Sequence, residues 1–214
     1  MLRLGLTMRV VETAEYPETR DAISQDWGRF ISAAMPDAIW VPIPNTPESC
    51  ISHFDAFGLT GLILTGGGDI RESTVRNETE NRLIEHCTRN KIPMLGICRG
   101  MQMLHTHFGG ALSKCEPDAH VGTRHRVRII RPITYSSGTL EVDSTVEVNS
   151  FHRWSINVAE MTSTFSLLAQ SDDEAVEAFV AKDFSAIGVM WHPERERAPT
   201  RVDRAIIDKL FYAQ

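Results

Sequence analysis

The feature that most constrains the fold is an alternation of short apolar runs with amphipathic stretches in the first half of the chain. The apolar runs predict β-strands at residues 2–6, 39–43, 59–65 and 92–97. The stretches 20–34 and 73–91 carry apolar residues at helical intervals and predict α-helices. Alternating strands and helices are typical of βαβ units, so we predict an α/β fold, an open and mostly parallel sheet with helices on both faces.

The second half of the chain has a different pattern, with little helix between its apolar runs. These runs predict strands at residues 127–130, 140–148, 165–168, 175–180 and 186–191. They indicate an antiparallel extension of the sheet. Pro199 and Thr200 are typical of a helix start, and a last helix should bury one face made of Val202, Ile206, Leu210 and Phe211. With 214 residues, of which 42% are hydrophobic, we expect a single domain over 1–214.

Charge and composition narrow the function. The formal net charge is -6 and no basic stripe is present, which argues against nucleic acid as a partner. No apolar stretch is long enough to cross a membrane, and the first residues do not follow a signal-peptide pattern. Four cysteines are too few for a disulfide scaffold of this length. We therefore expect a cytoplasmic protein that acts on a small molecule, without a cofactor or a bound metal.

One cysteine lies in a distinctive turn. The sequence Gly96-Ile-Cys-Arg-Gly100 joins a predicted strand to a helical pattern, and its G-x-C-x-G spacing matches a nucleophile elbow with cysteine in place of serine. The turn is too sharp for side chains beside the nucleophile, and the start of the helix favours a thiolate. The charge of Arg99 could add to this effect. We interpret Cys98 as a nucleophile, and Cys50, Cys87 and Cys115 as ordinary buried thiols.

A cysteine nucleophile needs a base, and the base needs a group that orients it. His192 follows the predicted strand 186–191, and Pro193 prevents the strand from continuing. Glu194 can turn back toward the imidazole. Either residue alone could be structural, but together with Cys98 they form a Cys, His, Glu set in that chain order.

A glycine run, Thr65-Gly-Gly-Gly-Asp69, follows the predicted strand 59–65 and should lie beside the elbow at the carboxyl edge of the sheet. Attack on an amide creates an oxyanion, which backbone N–H groups can stabilise. Our candidates are the N–H groups of Gly67 and Arg99. A phosphate-binding loop is the rival interpretation, although the Lys-Ser/Thr of a P-loop is missing, and a plain turn also remains open.

These motifs, with Asn149-Ser-Phe-His152 and Trp191-His-Pro-Glu194, resemble class I glutamine amidotransferase-like proteins in content and order. Within that family the chain is similar to stand-alone γ-glutamyl hydrolases such as γ-glutamyl-γ-aminobutyrate hydrolase. The resemblance implies a flavodoxin-like sheet, a triad and an oxyanion hole. It also implies contacts to the glutamyl group of the substrate. The triad is Cys98, His192 and Glu194; the oxyanion hole is Gly67 and Arg99; the substrate contacts are Gln102, Ser150, Phe151 and His152.

The resemblance implies hydrolysis of a γ-glutamyl amide through a γ-glutamyl thioester, but it leaves the departing amine open. Segment 20–27 is similar to hydrolases of γ-glutamyl-CDP-amidate, although a helix start with a buried Trp27 explains it equally well. Arg124, Arg126 and Arg153 could recognise an anionic leaving group or could simply be solvated. The alternative function is a glutaminase subunit that delivers ammonia to a separate synthetase. The sequence leaves the oligomeric state open, with a homodimer as one possibility.

Overall fold

The computed structural model describes residues 1–115 and 120–213, and a nine-stranded sheet dominates this part of the chain. The strands are β1 (Arg3–Thr7), β2 (Arg9–Glu12), β3 (Thr19–Ala22), β4 (Ile39–Ile43), β5 (Gly61–Leu64), β6 (Met94–Ile97), β7 (Ser113–Lys114), β8 (Val121–Ile129), β9 (Ile133–Tyr135), β10 (Gly138–Leu140), β11 (Thr145–Phe151), β12 (Trp154–Ser155), β13 (Phe165–Ser171), β14 (Val176–Ala181) and β15 (Ala186–Val189). The helices are α1 (Asp26–Ala34), α2 (Cys50–Ala56), α3 (Thr74–Arg89), α4 (Arg99–His107) and α5 (Arg201–Ile207). Short 3-10 turns occupy Val158–Glu160 and Pro193–Arg195, and a π-helical turn occupies Asp208–Tyr212.

The strand order of the large sheet is β11-β8-β13-β14-β15-β6-β5-β1-β4. The five strands from β15 to β4 pair in parallel. Numbered along the chain, they follow the 2-1-3-4-5 order of flavodoxin-like folds. The other four strands continue the sheet beyond β15 by antiparallel pairing. The predicted α/β fold, its flavodoxin-like arrangement and its antiparallel extension are therefore confirmed.

Both faces of the parallel region are covered, which explains why its strands are almost continuously apolar. Side chains alternate across a strand, so Leu62 and Leu64 of β5 pack into one buried cluster and Ile63 packs into the other. Helices α1 and α5 cover the face of Ile63, and α2, α3 and α4 cover the opposite face. The sheet is thus a central layer between two helical layers.

Two predicted elements are wrong in part. The helix predicted over 20–34 begins only at Asp26, because Thr19–Ala22 pairs instead with Arg9–Glu12 in an antiparallel ribbon. This pairing satisfies backbone groups that local periodicity assigned to a helix. The strand predicted over 140–148 is interrupted, since Asp143 has a φ of 63°, which an extended strand does not tolerate. The interruption separates β10 from β11.

The C-terminal helix follows its prediction closely. The hydroxyl of Thr200 accepts a hydrogen bond from the backbone N–H of Asp203, and the carboxylate of Asp203 accepts one from the N–H of Thr200, which completes a capping box. The four predicted apolar residues are buried. No helix in the described part of the chain is long and apolar enough to cross a lipid bilayer.

The register of the sheet determines where the candidate site lies. Strand β6 lies between β5 and β15, with Gly96 paired to Leu64 on one side and to Gly188 on the other. The three strands are parallel, so their carboxyl ends meet at one edge. The glycine loop, Cys98 and His192 follow these three ends and are therefore brought together by topology.

Candidate active site

Cys98 occupies a strained turn between β6 and α4. Its φ is 49° and its ψ is -103°, a conformation that residues with a side chain rarely adopt. The two neighbouring glycines are required by space. A Cβ on Gly96 would lie 2.7 Å from the backbone of Gly100, and a Cβ on Gly100 would lie 2.0 Å from the carbonyl oxygen of Leu64. The G-x-C-x-G spacing thus reflects close approach of α4 to two strands, and it fixes the thiol at the edge of the sheet.

His192 lies three residues beyond the end of β15 and is held from two sides. Its Nδ1 is 2.7 Å from Oε1 of Glu194, and both side chains are buried. The side chain of Asn149 accepts a hydrogen bond from the backbone N–H of His192 at 2.8 Å and donates one to its carbonyl at 2.8 Å. Asn149 is a positioning residue that we did not predict, although it begins the Asn-Ser-Phe-His motif.

The electrostatic environment couples Cys98 to His192. Burial by itself would raise the pKa of the Cys98 thiol, but the charge of His192 and a hydrogen bond to it bring this pKa below its ordinary value of 9.0. Burial by itself would lower the pKa of His192, but attraction to Cys98 and the bonds to Cys98 and Glu194 raise it to about 9. The environment therefore favours a thiolate paired with an imidazolium.

The glycine loop packs directly against this pair. A Cβ on Gly66 would lie 2.6 Å from Cε1 of His192, so only glycine fits there. Gly67 has a φ of 89° and lines the same cavity as Cys98. Arg76 holds the loop by donating to the carbonyls of Thr65 at 2.7 Å and Gly67 at 2.6 Å. The loop is therefore pinned next to the thiol, as the strand order predicts.

The side chain of Arg99 does not point toward the thiol. Its guanidinium is buried, forms an ion pair with Glu80 and donates to Asn77 at 2.6 Å. Glu80 also binds Arg76 at 2.9 Å, which completes a buried network behind the elbow. The charge of Arg99 is therefore compensated by Glu80, and its contribution to the thiolate stays a prediction. Its backbone N–H, at the first position of α4, lies among the N–H groups that a helix start leaves without an intrahelical partner.

A cavity of about 320 Å³ opens over Cys98 and His192. Trp154 forms one wall. The guanidinium of Arg71 lies 3.9 Å from the Trp154 ring centroid, and the indole N–H donates to Asp69 at 2.7 Å. A larger cavity of about 440 Å³ lies near Tyr135 and Arg201, but its described lining includes no cysteine or histidine. The cavity at the elbow is therefore the candidate active site.

Three of the four predicted substrate contacts line this cavity: Gln102, Phe151 and His152. Gln102 is buried rather than exposed on a helix surface, and its amide donates to the carbonyl of Trp154 at 2.9 Å. Ser150 is not among the described residues that line the cavity. Its hydroxyl donates instead to the carbonyl of His120 at 2.7 Å.

The arginines considered as anion-binding residues differ in their positions. Arg153 lines the cavity, and so does Arg195, whose guanidinium lies 4.4 Å from the Phe151 ring centroid. Arg124 forms ion pairs with Glu147 and Glu196 at 2.9 and 2.7 Å, so its charge is already compensated. Sequence reasoning did not identify Arg195, which follows the Trp-His-Pro-Glu motif directly.

The chain is similar in sequence and in fold to several known proteins. A γ-glutamyl-CDP-amidate hydrolase from Campylobacter jejuni is 31% identical over 199 residues, 90% of each chain. A glutamine-hydrolysing GMP synthase from Xylella fastidiosa is 29% identical over 73% of this chain but only 28% of its own length. The crystal structure of a GMP synthase-like protein from Thermoplasma acidophilum has a TM-score of 0.69, with 25% identity and coverage of 97% of this chain and 90% of that one.

A cysteine in a strand-to-helix elbow on a flavodoxin-like sheet is the arrangement of class I glutamine amidotransferases. More narrowly, the model of the Peptidase C26 family matches residues 4–194, and the chain belongs to that family.

Proposed function

We propose that this protein is a cysteine-dependent hydrolase that cleaves the γ-glutamyl amide bond of a glutamine-like small molecule and releases glutamate and an amine. The observation that carries the proposal is the pairing of Cys98 with His192 at the floor of the cavity. The pKa of Cys98 lies below its ordinary value although the thiol is buried, which suits a nucleophile.

In the proposed reaction the Cys98 sulfur attacks the γ-carbonyl carbon, and the carbonyl electrons move onto the oxygen. The backbone N–H groups of Gly67 and Arg99 stabilise this oxyanion. His192, oriented by Glu194, transfers a proton to the nitrogen as the C–N bond breaks, leaving a γ-glutamyl thioester. Water then attacks the thioester while His192 accepts its proton, and cleavage of the C–S bond releases glutamate and the Cys98 thiolate.

The glutamyl half of the substrate would lie against Gln102 and the segment Ser150–His152. The backbone of Ser150 can take part although its hydroxyl is used elsewhere.

We further propose that the leaving group carries phosphate. Arg153 and Arg195 are exposed at the cavity, so its rim carries cationic groups. The Campylobacter relative is named for a substrate of this kind, in which the amine belongs to a CDP-amidate. We expect Arg195→Ala to lower kcat/KM roughly tenfold for a phosphate-bearing γ-glutamyl conjugate and to leave a neutral γ-glutamyl amine almost unaffected.

The matched control for this substitution is Arg126→Ala, which removes an exposed arginine that does not line the described cavity. Equal effects of Arg195→Ala on both substrates would contradict a phosphate-bearing leaving group.

The alternative function, a glutaminase subunit for a separate synthetase, is favoured by the similarity to GMP synthase. An assay of the purified chain without any partner distinguishes the hydrolase from the glutaminase subunit. We expect steady release of glutamate from γ-glutamyl conjugates without any partner, measured by a coupled glutamate assay. Turnover that appears only after a synthetase is added would favour the alternative.

A further inference from the structure

At the wall of the cavity and behind it lies a group of mostly buried side chains that take no part in the proposed bond-making and bond-breaking steps, here termed the His-Glu cluster (His120, His125, His152 and Glu177). The ring centroid of His120 is 4.7 Å from that of His152 and 5.1 Å from that of His125. His125 lies on β8, Glu177 on β14, and His152 directly after β11. The cluster therefore joins three strands of the antiparallel region, and of its four members His152 alone is among the described residues that line the cavity.

The donor atoms of the cluster converge. One ligand atom each from His120, His125 and Glu177 lies within 4.8 Å of the others. Oε1 of Glu177 is 3.3 Å from Nε2 of His125 and 3.6 Å from Nε2 of His152. Tetrahedral zinc has ligands at about 2.0–2.2 Å, which places them about 3.4 Å from one another. A contraction of the donor–donor distances by up to about 1.4 Å would therefore let all the donors reach one ion.

The outer nitrogens of two imidazoles are already held by acceptors. Nε2 of His120 is 2.7 Å from a carboxylate oxygen of Asp173, and Nδ1 of His152 is 3.2 Å from the carbonyl oxygen of Trp154. Such contacts orient metal-binding histidines and fix the tautomer that leaves the inner nitrogen as an acceptor. The inner atoms, Nδ1 of His120 and Nε2 of His152, belong to residues that are at most 2% exposed, and they form no hydrogen bond within the described chain.

Glu177 also carries buried polar atoms without hydrogen bonds, and here the group is a carboxylate. It is fully buried, and neither carboxylate oxygen accepts a hydrogen bond of good geometry from the described residues. Its nearest positive groups are imidazoles at ion-pair distance. A buried carboxylate without good hydrogen bonds is destabilising, so a ligand that engages its oxygens and the imidazole nitrogens together would relieve several unsatisfied atoms at once.

We propose that His120, His125 and Glu177, with His152 as a fourth donor, bind one divalent transition-metal ion. Three imidazole nitrogens and one carboxylate form a donor set suited to zinc. The ion would link β8, β11 and β14, and through His152 it would brace the cavity wall that contains Phe151 and Trp154. It would act as a structural ion, since all four proposed ligand positions come from the protein.

The test is equilibrium binding of Zn²⁺ to the purified full chain, measured by competition with a chromophoric chelator and by elemental analysis of the dialysed protein. We expect one ion per chain. Co²⁺ in place of Zn²⁺ should give visible absorption bands of tetrahedral intensity. Glu177→Gln and His125→Gln should weaken binding about 100-fold or more, since each removes a ligand from the cluster.

Because these two variants could disturb folding, Asp173→Asn provides a milder change. The Asp173 side chain is 54% exposed and touches the cluster only through His120, so the variant should fold normally by circular dichroism. We expect it to bind Zn²⁺ roughly 10- to 100-fold more weakly. His86→Gln, which removes a histidine outside the cluster that pairs with Asp55 at 3.2 Å, is the control and should not change the affinity.

Two results would overturn the proposal. The first is a folded wild-type chain that binds no Zn²⁺ or Co²⁺ at micromolar protein concentration. The second is stoichiometric binding that survives Glu177→Gln and Asp173→Asn but is lost in Cys98→Ser or Cys115→Ser, which would place the ion on a thiol instead. Neither result depends on hydrolase activity, so the metal site and the proposed function fail separately.

Discussion

The packing of α4 against β5 gives a sharp prediction, because Gly100 and Gly28 both lie in the first turn of a helix but in different surroundings. A Cβ on Gly100 would lie 2.0 Å from the carbonyl oxygen of Leu64, whereas ordinary contact begins at 3.4 Å, so helix and strand would have to separate by about 1.4 Å. The nearest atom to a Cβ on Gly28 is 3.7 Å away, on Trp40.

Replacing a helical glycine by alanine stabilises by about 0.5–1 kcal/mol when space allows, and overpacking a core costs about 1–3 kcal/mol. The methyl group added by Gly100→Ala meets backbone rather than a flexible side chain, so the cost of overpacking lies near the upper end of its range. We expect the free energy of unfolding to fall by about 2 kcal/mol in total. We expect Gly28→Ala to gain about 1 kcal/mol, a difference of about 3 kcal/mol between the variants.

Urea unfolding followed by tryptophan fluorescence measures both free energies of unfolding, with the m-value as a check that the two states are unchanged. Gly100→Ala should also reduce turnover, because the shift of α4 moves the elbow. A Gly100→Ala protein as stable as Gly28→Ala would refute the view that close helix-strand contact defines this turn.

Further predictions concern the pair at the elbow. Since His192 lowers the pKa of Cys98, iodoacetamide should alkylate Cys98 well below pH 9.0. In His192→Gln the effect of burial dominates, so the pH dependence of alkylation, followed by mass spectrometry, should shift upward. Identical pH profiles for the two proteins would contradict the pairing of Cys98 with His192. Glu194→Gln should lower kcat on the order of 100-fold or more with little change in KM, and a change confined to KM would argue against an orienting role. Gly66→Ala should lower kcat by displacing His192, while Gly28→Ala, whose added Cβ meets no atom nearer than 3.7 Å, should not.

Much of the fold follows from local sequence. The run Leu62 to Leu64 is apolar at every position because both faces of the sheet are covered, and the alternation of strands with helices identifies the parallel region directly. What local patterns cannot supply is pairing between distant segments. The ribbon that joins Arg9–Glu12 to Thr19–Ala22 displaced a predicted helix start, and the φ of Asp143 divided a predicted strand. A single domain over 1–214 stays a prediction.

Site residues could be predicted where a reactive side chain and a residue required by the backbone, such as glycine, stand together in the sequence. Cys98 is flanked by glycines because helix and strand touch there, and the end of β15 places His192 beside it. Asn149 could not be recognised in this way, because an asparagine that binds the backbone of a distant residue looks the same in sequence as an asparagine in an ordinary turn. The His-Glu cluster was equally hidden, because its members are spread between His120 and Glu177 and only the antiparallel strands bring them together.

The most direct test of the proposed function is to trap the acyl-enzyme. The purified chain is mixed with a γ-glutamyl conjugate, quenched in acid within the first turnovers, and digested for mass spectrometry. We predict a glutamyl group on the peptide that contains Cys98, and complete loss of both the adduct and glutamate release in a folded Cys98→Ala variant. Undiminished glutamate release by that variant would contradict the central claim that Cys98 is the nucleophile.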